Sequence, residues 1–310
     1  MEYRTLGSTG IEISTLGFGA ATLGDIYGAI DPKEGIRAIR HAVDQGITLV
    51  DTAPYYGQTL AETRLGEALD GIRERVVLST KCCRYGFDDF DFSRESVMTS
   101  LEASLKRLRT DHLDLFIAHD VEFGDRAQVV DEAVPALLEA KAQGKVRAVG
   151  VSGLPLQYLR SVATEGDVDF VLSYCHYNLL CDDLDDVLVP WAAETNKGLI
   201  NASPLHMGIL SPDGPPDWHP ANGAVKETGR EIIELCAEHD IHPACVTLRM
   251  SLDHPAINST LVGMKTRDEV DKNLAVFELT NDPKLLAEID QLIGPVKNDI
   301  WPEGRPENNP

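Results

Sequence analysis

The sequence is poor in basic residues. Its 310 residues include 28 Lys and Arg against 50 Asp and Glu, which gives a formal net charge of −22. Nonspecific affinity for nucleic acid, and for anionic membrane surfaces, comes from basic side chains that contact phosphate groups. The charge balance therefore excludes both as expected partners and favours a highly soluble protein.

Long apolar runs and paired cysteines are missing as well. We find no stretch of about 18 apolar residues that could cross a bilayer, and the first residues, MEYRTLGSTG, lack an apolar secretion signal. The six cysteines form no C-x-x-C pair and show no zinc-site spacing with histidine. We therefore expect no membrane span, no metal site and a reducing, cytoplasmic location.

A dinucleotide-binding G-x-G-x-x-G turn is also absent. Gly17, Gly19 and Gly24 in the stretch TLGFGAATLG have a different spacing, which argues against a doubly wound sheet. Eight short apolar runs alternate instead with helical patterns, at residues 15–19, 47–51, 75–81, 113–119, 146–152, 168–174, 198–203 and 259–263. Eight βα units in a chain of this length predict an α/β fold, a (β/α)8 TIM barrel.

Other segments refine this prediction. The stretch RTLGSTGIEIS predicts an N-terminal β-hairpin ahead of the barrel, and residues 1–310 are expected to form a single domain. Helix starts are indicated by Asp31-Pro32 and by two capping boxes, Thr59-x-x-Glu62 and Thr266-x-x-Glu269. The Pro- and Gly-rich segments 203–223 and 294–310 predict long irregular loops at the C-terminal face.

Polar residues end three neighbouring runs. Asp51, Lys81 and His119 close the second, third and fourth runs, so the barrel places them on one rim, where barrel active sites lie. The turn DTAPYYG follows Asp51 and brings a tyrosine to the same rim. A lysine beside a phenol stabilises the phenolate, so we expect a lowered tyrosine pKa. Each residue alone has a structural explanation, but together they indicate acid–base chemistry.

These four positions resemble the catalytic tetrad of the aldo-keto reductases, and the likeness extends over nearly the whole chain. The family places its catalytic tyrosine directly before a glycine. The resemblance therefore implies that Tyr56 is the acid–base group, with Asp51, Lys81 and His119 around it, and that Tyr55 packs.

Loop sequences resemble one branch of this family, the plant-type L-galactose dehydrogenases. The stretches are HDVEFG (119–124), GLPL (153–156), LSYCHYN (172–178), GPPDWHPA (214–221), LVGM (261–264) and PVKN (295–298). This resemblance implies NAD(P)-dependent oxidation of an aldose at C1 to an aldonolactone, by a monomer or homodimer. Dehydrogenases of L-fucose or D-arabinose, a general NADPH-dependent aldehyde reductase and a nicotinamide-binding regulatory subunit remain alternatives.

The family resemblance also implies a cofactor site. The matching positions are Ser152, Ser203, Leu205, Gly263, Met264, Glu269 and Asn273. A carboxylate at Glu269 would repel a ribose 2′-phosphate, which favours NAD. NADP stays possible because Lys265 and Arg267 are close in sequence. The start of the helix after the last strand is expected to offer free N–H groups to an anion.

Three positions depart from the family pattern. Gly153 replaces an asparagine and Tyr174 a glutamine, both of which usually hold the nicotinamide carboxamide, and Ala202 replaces the aromatic residue that usually stacks on the ring. The substrate is expected to be held by polar and aromatic loop residues, with candidates Asp120, His176, Trp218 and Trp301.

Overall fold

The architecture was obtained as a computed structural model that describes residues 1–279 and 282–309. Residues 280, 281 and 310 belong to the predicted domain, and residue 310 to the predicted C-terminal loop, but all three lie outside the described residues.

Eight parallel strands form a closed barrel, as predicted. They pair in the order β10-β3-β4-β5-β6-β7-β8-β9, with β10 also pairing with β9. Each coincides with one of the eight apolar runs. Their bounds are β3 Leu16–Gly19, β4 Leu49–Asp51, β5 Val77–Cys82, β6 Leu113–Ala118, β7 Val146–Gly153, β8 Phe170–Tyr174, β9 Gly198–Ala202 and β10 Ser259–Gly263.

The predicted N-terminal hairpin closes the bottom of the barrel. It consists of β1 (Tyr3–Thr5) and β2 (Glu12–Ser14), which pair antiparallel. Leu6 is fully buried against Gly198, where an added Cβ would lie 2.4 Å from Leu6 Cδ1. The hairpin thus contributes Leu6, Ile11 and Ile13 to the core inside the barrel.

The helices form the outer layer. They are α1 Pro32–Asp44, α2 Leu60–Ala68, α3 Arg94–Leu108, α4 Arg126–Gln128, α5 Val134–Ala142, α6 Leu156–Glu165, α7 Leu184–Thr195, α8 Gly223–Glu238, α9 Pro243–Asp253, α10 Arg267–Leu274 and α11 Pro283–Ile293. A π-helical segment, Val129–Ala133, joins α4 to α5. Both α8 and α9 lie between β9 and β10, which explains the long gap before the last apolar run. Among the described residues, no helix has the length and apolarity that a bilayer crossing requires.

The predicted helix starts have mixed outcomes. Asp31 caps α1 by accepting a hydrogen bond from Lys33 N, and Thr266 caps α10 as expected. The capping box at Thr59 is wrong: this residue has φ of +77°, and its side chain makes no capping hydrogen bond. The reason is that Glu62 points inward, where it accepts hydrogen bonds from Thr80 Oγ1 at 2.7 Å and Arg107 Nε at 2.6 Å.

The two predicted loops are irregular. Residues 203–223 contain one short 3-10 turn, His206–Gly208, before α8 begins. The described part of the C-terminal segment contains two more, Gly294–Val296 and Pro306–Asn308. Both segments run at the C-terminal face of the barrel, beside the rim that carries Asp51, Lys81 and His119.

Candidate active site

A buried ion pair lies at the C-terminal ends of β4 and β5. Lys81 Nζ donates to Asp51 Oδ2 at 2.5 Å and to the carbonyl of Thr52 at 2.7 Å. Ser79 Oγ donates to the other carboxylate oxygen of Asp51 at 2.7 Å. The two side chains are nearly inaccessible to solvent. Each charge is therefore compensated, as burial of an ion pair requires.

Tyr56 is the tyrosine that reaches this pair. Its hydroxyl accepts a hydrogen bond from Lys81 Nζ at 3.3 Å. The following Gly57 has φ of +63°, and a Cβ there would lie 2.4 Å from the carbonyl oxygen of Gly24. Only glycine allows the turn to approach residue 24 so closely. The Tyr-Gly pair thus fixes the phenol over the lysine.

The pKa of Tyr56 moves opposite to our expectation. Burial raises this pKa well above its usual 10, the negative charges of Asp51 and Asp120 raise it further, and only Arg84 opposes the shift. The expected lowering by Lys81 is wrong because its ammonium is already neutralised by the Asp51 carboxylate 2.5 Å away. In the free protein Tyr56 is therefore a neutral phenol at physiological pH.

His119 follows β6 and faces the same phenol. Its ring lies edge-on to that of Tyr56, with the centroids 5.9 Å apart, and its Nε2 is 3.5 Å from Asp120 Oδ2. Burial lowers the pKa of His119 to about 3, although the charge of Asp120 opposes this shift. The site thus combines a phenol, a neutral imidazole and an ammonium, a set that can bind a hydroxyl and exchange its proton.

Tyr55 lies beside the site and packs, as predicted. Its ring stacks under the guanidinium of Arg84, with Cζ 4.1 Å from the ring centroid. The centroids of Tyr55 and His119 are 6.1 Å apart. Arg84 is not among the residues predicted from the sequence, although its position three residues after Lys81 marks it as a second cation close to the same strand end.

Most of the predicted cofactor residues lie along the neighbouring strand ends. Ser152 is buried at the end of β7, and its Oγ accepts a hydrogen bond from Asp120 N at 3.3 Å. Ser203 directly follows β9 with φ of +54°. Leu205 packs between two hydrophobic clusters, and Gly263 is exposed at the end of β10.

The backbone N–H groups around the start of α10 have more hydrogen-bond partners within the protein than predicted. Thr266 Oγ1 accepts a hydrogen bond from Glu269 N at 3.2 Å, and Glu269 Oε2 accepts one from Lys265 N at 2.6 Å. Glu34 accepts a hydrogen bond from Arg267 N at 3.3 Å. The expected free N–H groups at this helix start are therefore partly used by side chains of the protein.

The other two predicted residues of this segment are buried. Met264 lies in the hydrophobic core, and its carbonyl accepts a hydrogen bond from Thr22 Oγ1 at 2.8 Å. Asn273 is buried on α10. Both side chains are therefore packed inside the protein.

The departure at Gly153 has a structural explanation. A Cβ at this position would lie 2.4 Å from Glu122 Oε2, so the glutamate side chain fills the space of the missing side chain. Glu122 is fully buried, and its Oε1 accepts a hydrogen bond from Leu154 N at 2.9 Å. Burial, and secondly the charge of Asp120, raise the pKa of Glu122 well above 4.5. A neutral carboxylic acid therefore stands beside position 153.

The rim retains features that fit a nicotinamide cofactor. Gly19 and Gly263 are paired neighbours at the ends of β3 and β10, and they leave this part of the rim without side chains. A part of the rim that carries no side chains leaves room for a flat polar ligand.

The predicted sugar-binding residues separate into two groups. Asp120 adjoins His119, as described. Trp301, in the C-terminal segment, packs edge-on against His206 and His219, which lie in the loop after β9. The ring centroids are 5.4 and 5.1 Å from that of Trp301.

The remaining two make no described contact with the tetrad. His176 is buried, and its Nδ1 lies 2.7 Å from Asp183 Oδ1. Trp218 is 52% exposed and lies beside Tyr27. Of the four predicted residues, the structure thus brings Asp120 into contact with the tetrad, whereas His176, Trp218 and Trp301 make no described contact with it.

Comparisons with known proteins agree with this geometry. Residues 15–294 match the aldo/keto reductase family. The chain is 40% identical to L-galactose dehydrogenase from Arabidopsis thaliana, with 99% of each chain covered. It is 30% identical to D-arabinose 1-dehydrogenase from Saccharomyces cerevisiae, over 94% of this chain and 91% of that protein.

A solved structure shows the same fold. The aldo-keto reductase from Bacillus halodurans, in its holo form, superposes with a TM-score of 0.79 at 23% identity and full coverage of both chains. The family match spans residues 15–294 and therefore includes the whole barrel. The protein is a member of the aldo/keto reductase family, whose enzymes use nicotinamide cofactors.

Proposed function

We propose that this protein oxidises C1 of an aldose to the aldonolactone, with NAD as the cofactor and L-galactose as the preferred sugar. The observation that carries the proposal is the contact of the Tyr56 hydroxyl with Lys81 Nζ at 3.3 Å, beside the neutral imidazole of His119. The relatives that act on L-galactose and D-arabinose support an aldose as substrate.

The chemistry divides among four side chains. When bound, the oxidised nicotinamide supplies the hydride acceptor and a positive charge. Tyr56 takes the proton of the C1 hydroxyl as the C1–H bond breaks and the C1=O bond of the lactone forms. His119 hydrogen-bonds the same hydroxyl and fixes its direction. Lys81, held by Asp51, donates a hydrogen bond to the Tyr56 oxygen and keeps it in place while the proton is transferred.

The raised pKa of Tyr56 suits a site that works with a cationic cofactor. Burial and two carboxylates keep the phenol protonated in the free protein. A positive charge placed beside it would lower this pKa, so the phenol becomes a usable base only when the oxidised cofactor is present. The same phenol is an acid for the reverse reaction.

The preference for NAD rests on the surroundings of α10. Glu269 keeps a carboxylate at the helix start, where it accepts the Lys265 N–H. The nearby cations have other partners: Lys265 Nζ donates to the carbonyl of Tyr27 at 3.0 Å, and Arg267 Nε lies 3.3 Å from Glu34 Oε1. A ribose 2′-phosphate would meet two carboxylates and displace these contacts, whereas a 2′-hydroxyl can donate to a carboxylate.

The proposal includes a setting for the enzyme. We propose that residues 1–310 act as one domain, as a monomer or homodimer in the cytoplasm. The six cysteines are unpaired, which suits a reducing compartment. Light scattering on a gel-filtration column measures the oligomeric state, and a larger assembly would contradict the proposal.

Coenzyme reduction tests the activity. The absorbance of the reduced nicotinamide is followed with NAD and NADP in parallel, using L-galactose, L-fucose, D-arabinose and D-glucose. We expect rapid reduction of NAD with L-galactose and little with D-glucose. Activity only with NADP would refute the argument from Glu269. Reduction of simple aldehydes by NADPH without any sugar oxidation would refute the sugar dehydrogenase and favour the general reductase.

A further inference from the structure

The backbone turn that carries His119 contains a strained residue. The His119 turn, residues 119–124, directly follows β6, and its second residue, Asp120, has φ of +51° although it is not a glycine. A left-handed backbone conformation costs free energy at a residue with a Cβ, and it persists where the surrounding structure holds it. The geometry of this turn therefore depends on the groups that contact it.

The C-terminal strap, residues 303–309, binds this turn through hydrogen bonds. Asn308 Nδ2 donates to the carbonyls of Glu122 and Gly124 at 2.8 and 3.0 Å. Arg305 N donates to the carbonyl of Glu122 at 3.0 Å, and Arg305 Nε donates to the carbonyl of the next residue at 3.1 Å. Three successive carbonyls of the turn are thus bonded to the strap.

The strap is also bonded to itself. Asn309 Nδ2 donates to the carbonyls of Glu303 and Arg305 at 2.6 and 2.8 Å, and Asn309 Oδ1 accepts a hydrogen bond from Glu303 N at 3.2 Å. The side chain of Asn308 is buried between the strap and the turn. The strap is therefore a compact unit that presents one amide group to the turn.

Gly304 allows the strap to lie this close. It has φ of +75°, and a Cβ there would lie 2.5 Å from the carbonyl oxygen and 2.7 Å from Cγ of Glu122. Real Cβ atoms do not approach other atoms so closely. A larger residue at position 304 would therefore force the strap and the turn apart.

The same turn reaches the tetrad. Asp120 Oδ2 lies 3.5 Å from His119 Nε2 and 2.5 Å from Arg84 Nη1. The ring of His119 is edge-on to that of Tyr56, with centroids 5.9 Å apart. A displacement of the turn would move the imidazole relative to the phenol, and a misplacement of about 1 Å in a catalytic group can lower a rate about 100-fold.

We propose that the C-terminal strap holds the His119 imidazole in place for the reaction, and that Asn308 is a positioning residue that acts through the His119 turn. This inference rests on the proposed function, in which His119 directs the C1 hydroxyl. One amide NH2 group has two donors, which match the two carbonyls that Asn308 binds. The donors of Asn308, and not its shape alone, are therefore required.

The test removes these donors in the full chain. Asn308→Leu has a similar size without donors, and Asn308→Asp keeps the shape but turns oxygen atoms toward the two carbonyls. Glu307→Gln is the matched control, because Glu307 is exposed in the same strap. The measured quantities are kcat, KM for L-galactose and the dissociation constant of NAD. Thermal melting of each variant verifies folding.

A second substitution perturbs the same contact from the backbone. Gly304→Ala places a methyl group against the carbonyl oxygen of Glu122. Its control is Gly144→Ala, because Gly144 has a similar φ of +76° and an added Cβ there would meet no atom of the described residues within 4 Å. Both substitutions have a similar backbone cost, so a difference between them reports the contact of the strap with the turn.

We expect both Asn308 variants and Gly304→Ala to lower kcat about 10- to 100-fold. The two controls should keep the normal kcat, and the dissociation constant of NAD should not change in any variant. In a His119→Gln background the same substitutions should have little further effect, because the ring that the strap positions is already absent. A purely structural role would lower kcat equally in both backgrounds.

Two kinetic results would overturn the inference. Either the Asn308 variants keep the kcat of Glu307→Gln, or they lose as much kcat in the His119→Gln background as in the unaltered one. Hydrogen exchange of residues 119–124 needs no sugar, and unchanged exchange in Asn308→Leu would also overturn it. An unaltered enzyme that oxidises no aldose would refute the proposed function, whereas faster exchange in Asn308→Leu would still show that the strap holds the turn.

Discussion

Tyr56 and Tyr55 are neighbours in sequence with different surroundings. Only Tyr56 contacts Lys81, whereas Tyr55 stacks on Arg84. We predict that Tyr56→Phe lowers kcat about 100- to 10,000-fold, because the proton acceptor is lost, while NAD binding stays unchanged. Steady-state rates and a fluorescence titration of the cofactor measure the two effects. Tyr55→Phe keeps its ring and should stay within about tenfold of normal; the reverse ranking of the two variants would contradict the assignment.

Glu122 is a fully buried carboxyl group with a raised pKa. Its raised pKa means that the folded protein retains a proton that the unfolded chain releases above about pH 4.5. The contribution of Glu122 to stability is therefore largest below this pH and is lost as the pH rises. We predict that Glu122→Gln, which mimics the neutral acid, gains stability relative to the unaltered protein as the pH rises above about 4.5. Urea unfolding at several pH values tests this, and a difference independent of pH would count against it.

The sequence predicts the tetrad better than its surroundings. Asp51, Lys81 and His119 end apolar runs, and strand ends converge wherever a barrel forms. Arg305 and Asn308 could not be placed in this way, because their hydrogen bonds join the C-terminal segment to a turn more than 180 positions earlier in the chain. The pKa of Tyr56 was predicted in the wrong direction because residue spacing reveals neither the burial of the phenol nor the charges of Asp51 and Asp120 near it.

At the level of elements, the hairpin β1–β2 has a purely structural position. It closes the barrel end opposite the tetrad, and Leu6 fills the interior against Gly198. We predict that Leu6→Ala lowers the free energy of unfolding by about 2–5 kcal/mol, through lost burial and a cavity. At a temperature where the Leu6→Ala variant remains folded, its kcat should equal that of the unaltered enzyme.

The control for this substitution is Leu138→Ala. Leu138 is 37% exposed on α5, so its truncation should cost less than about 1 kcal/mol. Chemical unfolding and steady-state rates measure both variants. Equal destabilisation by the two substitutions, or loss of kcat in Leu6→Ala, would show that the hairpin does not act as a separate closing element.

Elements were easier to predict than their ends. All eight strands coincide with apolar runs, since a parallel barrel strand is buried on both faces. Helix caps depend on single side chains. The pattern Thr59-x-x-Glu62 fits a capping box in the sequence, but in the structure Glu62 points inward and accepts a hydrogen bond from Arg107. The long interval before β10 was visible in the sequence, but the pattern gave no sign that it holds two helices.

The whole molecule combines a charge of −22 with buried neutral histidines. Burial lowers the pKa values of His119 and His206 from 6.5 to about 3, so the unfolded chain binds protons that the folded protein excludes. The two histidines therefore leave the free energy of unfolding unchanged above about pH 6.5. As the pH drops toward 3, each histidine lowers this free energy by about 1.4 kcal/mol per pH unit.

Substitution of one histidine tests this acid sensitivity. We predict that His206→Gln makes unfolding free energy less dependent on pH between about 6 and 4, by about 1 kcal/mol per pH unit. The control is His112→Gln, because His112 lies at the surface beside Asp111. Urea unfolding across this pH range gives the slopes. An unchanged slope in His206→Gln would mean that His206 is protonated in the folded protein.

The central claim is that hydride leaves C1 of the sugar while Tyr56 takes the proton. The most direct measurement is turnover of L-galactose deuterated at C1 with NAD, followed by mass spectrometry of the cofactor and the sugar product. The account predicts one deuterium in the reduced cofactor and none in an aldonolactone product, with transfer nearly abolished in Tyr56→Phe. A product that keeps its deuterium at C1, or deuterium transfer unaffected by Tyr56→Phe, would contradict it.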